Sequence, residues 1–179
     1  MAVIHVLDKH TAELIAAGEV VERPSSVVKE LIENSIDAGS TFISVTIEAE
    51  YIATAFIRHA TSKIEKEADL TAISTLGFRG EALASISSVA KVELLTRTEA
   101  DEFACLYRQQ GGEELSREVA ARPVGTTITV RDLFFNVPAR MKFLKKDTSE
   151  GNYVGVVVLR QALAHPEIAF RSVREGKEL

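Results

Sequence analysis

Residues Pro24 to Glu48 read PSSVVKELIENSIDAGSTFISVTIE, a helix signal that runs into a strand signal across a single glycine. Proline fixes φ and lacks an N–H, so Pro24 suits the first turn of a helix, where that donor would be unused. At 100° per residue Val27, Val28, Leu31, Ile32 and Ile36 fall on one half of the helix and the polar residues on the other. This predicts a helix from about Pro24 to Asp37, stopped by Gly39. From Thr41 onward Ile43, Val45 and Ile47 alternate with Ser44, Thr46 and Glu48, the period of a half-buried strand. A one-faced helix beside a one-faced strand points to a layered α+β fold.

The same signals extend in both directions. A helix is predicted over about Lys9 to Ala17, closed by Gly18 and a turn at Glu22, Arg23 and Pro24, and another over Ile52 to Arg58. Gly77 to Leu83, GFRGEAL, opens an apolar helix that yields near Lys91 to the strand VELLT. Gly111 and Gly112 mark a turn between two further strands, and Gly125 to Val130 has strand character. Pro138 starts a short basic helix, a longer one covers about Tyr153 to Ala164, and Ile168 to Val173 is a final strand before a hairpin turn at Arg174 to Lys177. With no internal repeat, low-complexity tract or linker, residues 1–179 are expected to form one domain.

Composition narrows the class. The chain is 46% hydrophobic and 26% charged, as in ordinary globular domains, and its net charge is −5. That charge repels nucleic acid overall, so a DNA contact would need a local basic patch. Cys105 is the single cysteine, which excludes an intrachain disulfide or a cysteine-rich zinc cluster and fits a reducing compartment. MAVIHVLDKH is too short an apolar run for a signal peptide, and no stretch nears the roughly 18 apolar residues of a membrane span. A cytoplasmic protein without membrane association is expected, nucleoid-associated if bacterial.

Three stretches carry candidate chemistry. In GFRGEAL, backbone amides freed by two glycines converge at a helix start, where they and the helix dipole favour an anion; a plain chain break before a helix is the alternative. Glu30, Asn34 and Asp37 stand at i, i+4 and i+7 on the polar half of the Pro24 helix. That stripe is either a solvated face or a site for a hard cation and an activated water, with Asn34 as a Mg²⁺ ligand and Glu30 as general base. HATSKI, His59 to Ile64, offers two hydroxyls and a lysine to phosphate oxygens, or else a capped helix end. No HExxH, GxSxG or GxxxxGK[ST] occurs, which argues against a zinc protease, a serine hydrolase of that type and a P-loop NTPase.

The stretches IAAGEVVERPSSVVKELIENSIDAG (Ile15 to Gly39), RHATSKI (Arg58 to Ile64), LGFRGEALASI (Leu76 to Ile86), VGTTITV (Val124 to Val130) and LFFNVPARMKFLKK (Leu133 to Lys146) follow one another along the chain. Together they resemble the MutL family of DNA mismatch-repair ATPases over nearly the whole length. The similarity is to that family's N-terminal ATPase domain, of the GHKL superfamily shared with DNA gyrase B, the ninety-kilodalton heat-shock chaperone and sensor histidine kinases. The resemblance implies a two-layer α/β sandwich of the Bergerat type, with a mixed, mostly antiparallel sheet and helices on one face. It implies ATP and Mg²⁺ as cofactors, Glu30 as the catalytic base and Asn34 as the Mg²⁺ ligand. Asp37 joins the nucleotide-binding set, and Thr61, Ser62 and Lys63 lie in a lid near the phosphates. Gly77, Phe78, Arg79, Gly80, Glu81, Ala82 and Leu83 wrap the phosphate tail, and Thr126 approaches the adenine side, although strand propensity alone also accounts for a threonine there. Implied partners are DNA, a MutS-type mismatch-recognition protein and a second copy in an ATP-dependent homodimer, with slow hydrolysis driving lid closure and signalling.

Two departures from the family pattern stand out. The DxGxG motif, whose aspartate holds the adenine amino group, is missing: after Glu48 roughly 17 residues of the pattern have no counterpart, more than ordinary loop variation. With every flanking motif intact, either this sequence leaves out a segment that the molecule carries, or the deletion is real and cripples nucleotide binding. The second subdomain, which brings a lysine to the γ-phosphate, is also not present, so slow turnover at best is expected. The alternative reading is a nucleotide-independent DNA-binding or interaction scaffold, for which Arg140, Lys142, Lys145 and Lys146 form the candidate basic patch; a solvated helix surface explains those four equally simply.

Overall fold

Pro24 occupies the first turn of helix α1 (Pro24–Asp37), behind an extended Arg23. The computed structural model describes residues 17, 18, 20–48, 55–58 and 82–179, with 55–58 as backbone. Val27, Val28, Leu31 and Ile32 are buried as their spacing requires, and Ile36 is half-buried. The polar residues Ser25, Glu33 and Ser35 are buried with them. Ser35 is accommodated by donating to the Leu31 carbonyl at 2.8 Å, and Glu33 by accepting from Lys29 at 2.9 Å and from Gln161 at 3.2 Å. Gly39 ends the helix at φ 74°, a left-handed conformation that costs glycine nothing, and its N–H donates to the Ile36 carbonyl.

Strand β1 (Phe42–Ile47) buries Ile43 and Val45 against that helix and leaves Ser44 and Thr46 half-buried, the predicted alternation. The remaining elements are β2 (Ala55–Arg58), α2 (Ala82–Val89), β3 (Lys91–Arg97), β4 (Ala104–Gln110), β5 (Glu113–Ala120), β6 (Gly125–Arg131), α3 (Pro138–Met141), α4 (Asp147–Ala164), β7 (Ala169–Arg174) and β8 (Lys177–Glu178). The strands form one sheet in the order β5-β4-β3-β6-β2-β1-β7-β8. All neighbours are antiparallel except β1 and β7, which run parallel from Phe42 opposite Ala169 to Ile47 opposite Arg174. α1 packs on α4 and α2, and one core joins Leu31 and Ile32 of α1 to Ile86 and Val89 of α2, Ile128 and Val130 of β6, and Val154 and Val158 of α4. This is the two-layer, mostly antiparallel α+β sandwich the sequence predicts.

The expected helix over Ile52 to Arg58 is overturned: Ala55–Arg58 is strand β2. It lies between β1 (Thr46 opposite Phe56) and β6 (Ile57 opposite Ile128), so ladder pairing on both edges decides its conformation. The longer helix starts at Asp147, six residues before the predicted Tyr153, and Asp147 and Glu150 in its first turn favour the positive end of the helix dipole. The chain is helical at Ala17, Gly18 and Val20, past the expected stop at Gly18. The rest of the first predicted helix, from Lys9, lies outside the described residues. The turn at Gly111 and Gly112, with φ of 60° and 86°, joins β4 to β5 as predicted.

Candidate functional site

α1 holds Glu30, Asn34 and Asp37 on one stripe by helical geometry, and all three are half-buried. A freely solvated face would leave them exposed, as Lys29 beside them is. Glu30 Oε1 lies 3.8 Å from Lys29 Nζ, a loose contact. Lys29 is engaged mainly by Glu33 at 2.9 Å, and that hydrogen bond holds the ammonium above its ordinary pKa. The Asn34 side chain makes no hydrogen bond within the described residues, while its backbone carbonyl closes the helix on Ala38. Among the described residues no group of three or more His, Cys, Asp or Glu converges on a metal site. A cation here would draw on Asn34, water and a nucleotide's own oxygens.

Thr126, at the start of β6 beside Gly125, is buried, and its Oγ1 shares a hydrogen bond of 2.8 Å with Thr96 Oγ1 on β3. Thr96 had no signal in the sequence, since only the register that sets it opposite Thr126 reveals it. Ala82, half-buried, and Leu83, exposed, begin α2. Gly77, Phe78, Arg79, Gly80 and Glu81, with Thr61, Ser62 and Lys63, lie outside the described residues.

The far end of α2 is tightly held. The Gly111 N–H donates to the Ala90 carbonyl, Gly112 to Ser87, Phe134 to Val89 at 2.6 Å, and the Asn136 side-chain amide to Ser88 at 2.8 Å. The β4–β5 turn and the loop after β6 thus satisfy carbonyls that a helix end leaves free. That loop belongs to the LFFNVPAR stretch, and it also reaches back to AAGEVVERP. Arg140 lays its guanidinium where Gly18 would carry a Cβ. Any larger residue at 18 must displace Arg140.

Arg140 therefore does not stand with the other candidate DNA contacts. Its guanidinium lies 6.0 Å from the Phe134 ring centroid, and its Nη1 is buried without a hydrogen bond. Lys142, Lys145 and Lys146 are exposed. Lys145 Nζ donates to the Tyr153 hydroxyl at 2.9 Å, and Arg23 stacks on the same ring at 4.9 Å. The Lys145 hydrogen bond and charge hold the Tyr153 phenol below its ordinary pKa, whereas desolvation followed by Glu114 raises that of Tyr107. In a spectrophotometric titration Tyr153 is expected to ionise before Tyr107, and Tyr153→Phe to remove the earlier phase of these two. Loss of the later phase instead would show that Lys145 does not hold the phenol.

No family-level sequence profile matches the chain. Individual relatives do. The DNA mismatch repair protein MutL of Agathobacter rectalis is 49% identical over 191 positions, covering 97% of this chain and 30% of that protein. MutL of Streptococcus sanguinis is 47% identical over 196 positions, covering all of this chain and 30% of that protein. The chain thus spans about 30% of the length of the curated relatives it matches. The second alignment takes 196 positions against 179 residues, a difference of 17. Among solved structures, the Aquifex aeolicus MutL ATPase domain complexed with ADP superposes with a TM-score of 0.73 at 36% identity, over 89% of this chain and 62% of that one. Shared sequence along nearly its whole length and a shared fold establish that the chain belongs to the MutL family of DNA mismatch-repair proteins, in the region of their GHKL-type ATPase domain.

Proposed function

We propose that this chain is the nucleotide-responsive part of a mismatch-repair protein, binding Mg·ATP and hydrolysing it slowly to switch conformation. The observation that carries this reading is the half-buried stripe of Glu30, Asn34 and Asp37 on α1 in a fold whose Aquifex aeolicus relative is described in complex with ADP. In it Glu30 accepts a proton from the attacking water, and Asn34 supplies one oxygen to Mg²⁺, whose chemistry is to neutralise charge on the phosphates. Asp37 belongs to the nucleotide-binding set and Thr126 to the adenine side; Thr61, Ser62, Lys63 and the Gly77 to Leu83 segment belong to the phosphates. Closure over the nucleotide would promote pairing with a second copy and signalling to a MutS-type protein and DNA in the cytoplasm.

The 17 positions by which the Streptococcus sanguinis alignment exceeds this chain support a gap in the pattern after Glu48, where β1 has ended and β2 soon begins. A site that has lost a buried hydrogen-bonding partner for a base edge loses several kcal/mol, roughly a hundredfold or more in affinity. Calorimetric titration with Mg·ATP is therefore expected to show weak binding to this chain. Binding should tighten by more than about tenfold once the corresponding Agathobacter rectalis residues are inserted after Glu48. Equal affinities would refute the gap. No binding by either folded protein would favour a nucleotide-independent scaffold, for which exposed Lys142, Lys145 and Lys146 are the DNA contacts and affinity falls steeply with salt.

A further inference from the structure

Thr96 stands opposite Thr126 where β3 pairs with β6, on the face of the sheet from which Ile128 and Val130 enter the core. One arginine straps the neighbouring rung. The Arg122 guanidinium donates to the Leu95 carbonyl and, at 3.3 Å, to Thr127 Oγ1, while Arg97 Nη1 donates to the Arg122 carbonyl at 3.2 Å. The backbone that carries Thr126 is thus fixed by the protein alone. What stays adjustable is the direction of its hydroxyl. A hydroxyl has one proton and two lone pairs and turns about its Cβ–Oγ bond. Thr126 is buried, so neighbours rather than bulk water set that direction. Thr96 Oγ1, on a half-buried residue, is such a neighbour at 2.8 Å, and one of the two hydroxyls donates to the other. The sheet order β3-β6-β2-β1 puts Thr96 one strand farther than Thr126 from β2, which lies under α1. Towards a ligand on that side Thr96 acts through Thr126, not by contact.

We propose that Thr96 is a positioning residue for the base end of the nucleotide, aiming the Thr126 hydroxyl at the purine; this rests on the reading that puts Thr126 on the adenine side. A base edge presents donors and acceptors at fixed spacing, so it binds best to a hydroxyl whose proton is already directed. Without Thr96 Oγ1 the ligand itself must order that rotor, and affinity falls by the cost of doing so. The phosphate tail, held elsewhere, is indifferent to it. Base affinity and phosphate affinity therefore separate at this residue.

Calorimetric and NMR titrations with Mg·ATP and with Mg·tripolyphosphate, which has no base, test the assignment on the 179-residue chain and on the version carrying the Agathobacter rectalis residues after Glu48. Thr96→Val keeps the branched shape that suits a strand and removes only the hydroxyl. It is expected to weaken Mg·ATP about three- to tenfold, the net worth of one neutral hydrogen bond, and to leave tripolyphosphate within about twofold. Thr96→Ser returns the hydroxyl and should return ATP affinity. In a Thr126→Val background Thr96→Val should change nothing further, because no hydroxyl is left to aim. Thr96→Ala serves if the valine variant does not fold. Should Thr126→Val weaken ATP while Thr96→Val does not, or should Thr96→Val weaken ATP and tripolyphosphate alike, the positioning role is overturned and the site reading stands. Should Thr126→Val leave ATP affinity unchanged, or should neither folded parent bind ATP, the adenine-side reading falls and the role of Thr96 with it.

Discussion

Glu30→Ala is expected to leave Mg·ATP affinity within a few-fold of the parent and to lower single-turnover phosphate release by about 10²–10⁴-fold, the usual contribution of a positioned general base. The comparison belongs in the version carrying the Agathobacter rectalis residues after Glu48, where turnover is measurable if the adenine contact is restored. The separation of binding from turnover follows from where Glu30 stands. It is one helical turn from Asn34 and held only loosely by Lys29 at 3.8 Å, so removing it vacates no structural hydrogen bond. Glu30→Gln tests the same point with the shape retained and should be equally slow. Asn34→Ala should behave oppositely, weakening nucleotide binding in Mg²⁺ far more than without it, because its role is that of a ligand. Turnover in Glu30→Ala within threefold of the parent would remove the residue from the chemistry and leave the stripe as a half-buried helix face.

What the sequence displayed was the part governed by local rules. Helix α1 was legible because a proline start, an apolar period and a glycine stop agree over one stretch, and β1 because its burial alternates residue by residue. Those two elements set Glu30, Asn34 and Asp37 in line, so the stripe was readable before any tertiary contact was known. Strand β2 was not. AFIR follows YIAT with apolar residues spaced as well for a helix as for a strand, and only its place between β1 and β6 settles the matter. Likewise Arg140 looked like one of four surface cations. Its partner, the bare face of Gly18, lies more than a hundred residues earlier in the chain, a distance no periodicity reports. The start of α4 escaped because Thr148, Ser149 and Gly151 have turn character, while the buried Glu150, which accepts from the Lys145 N–H just ahead of the helix, looks in sequence like any exposed acid.

The largest effect on stability is expected at Phe134. Its ring is fully buried in the core shared by α1, α2 and β6, and truncation to alanine should cost about 3–5 kcal/mol, read as a lowered urea midpoint with little change in slope. Phe134 also has φ 65°, unusual for a non-glycine residue and rarer still for an aromatic one. Two hydrogen bonds hold that conformation: its N–H donates to the Val89 carbonyl at the end of α2, and its carbonyl accepts from Val137 at 2.9 Å. An L-residue there bears about 1–2 kcal/mol of left-handed strain that glycine does not, whereas glycine gives up about 0.4–1 kcal/mol through the entropy of its unfolded chain. Phe134→Gly should therefore be no less stable than Phe134→Ala, and by up to about 1 kcal/mol more so, the reverse of the order in ordinary helix or strand positions. If alanine costs less than about 1 kcal/mol, the ring is not a core element; if glycine is the worse by about 1 kcal/mol, the left-handed backbone is not retained. The strain is informative because of what it secures. Fixing the C-terminal end of α2 fixes the direction of a helix whose other end begins with Ala82 and Leu83, beside the glycines proposed to cradle phosphate. Loss of Phe134 should therefore weaken nucleotide binding even in molecules that remain folded.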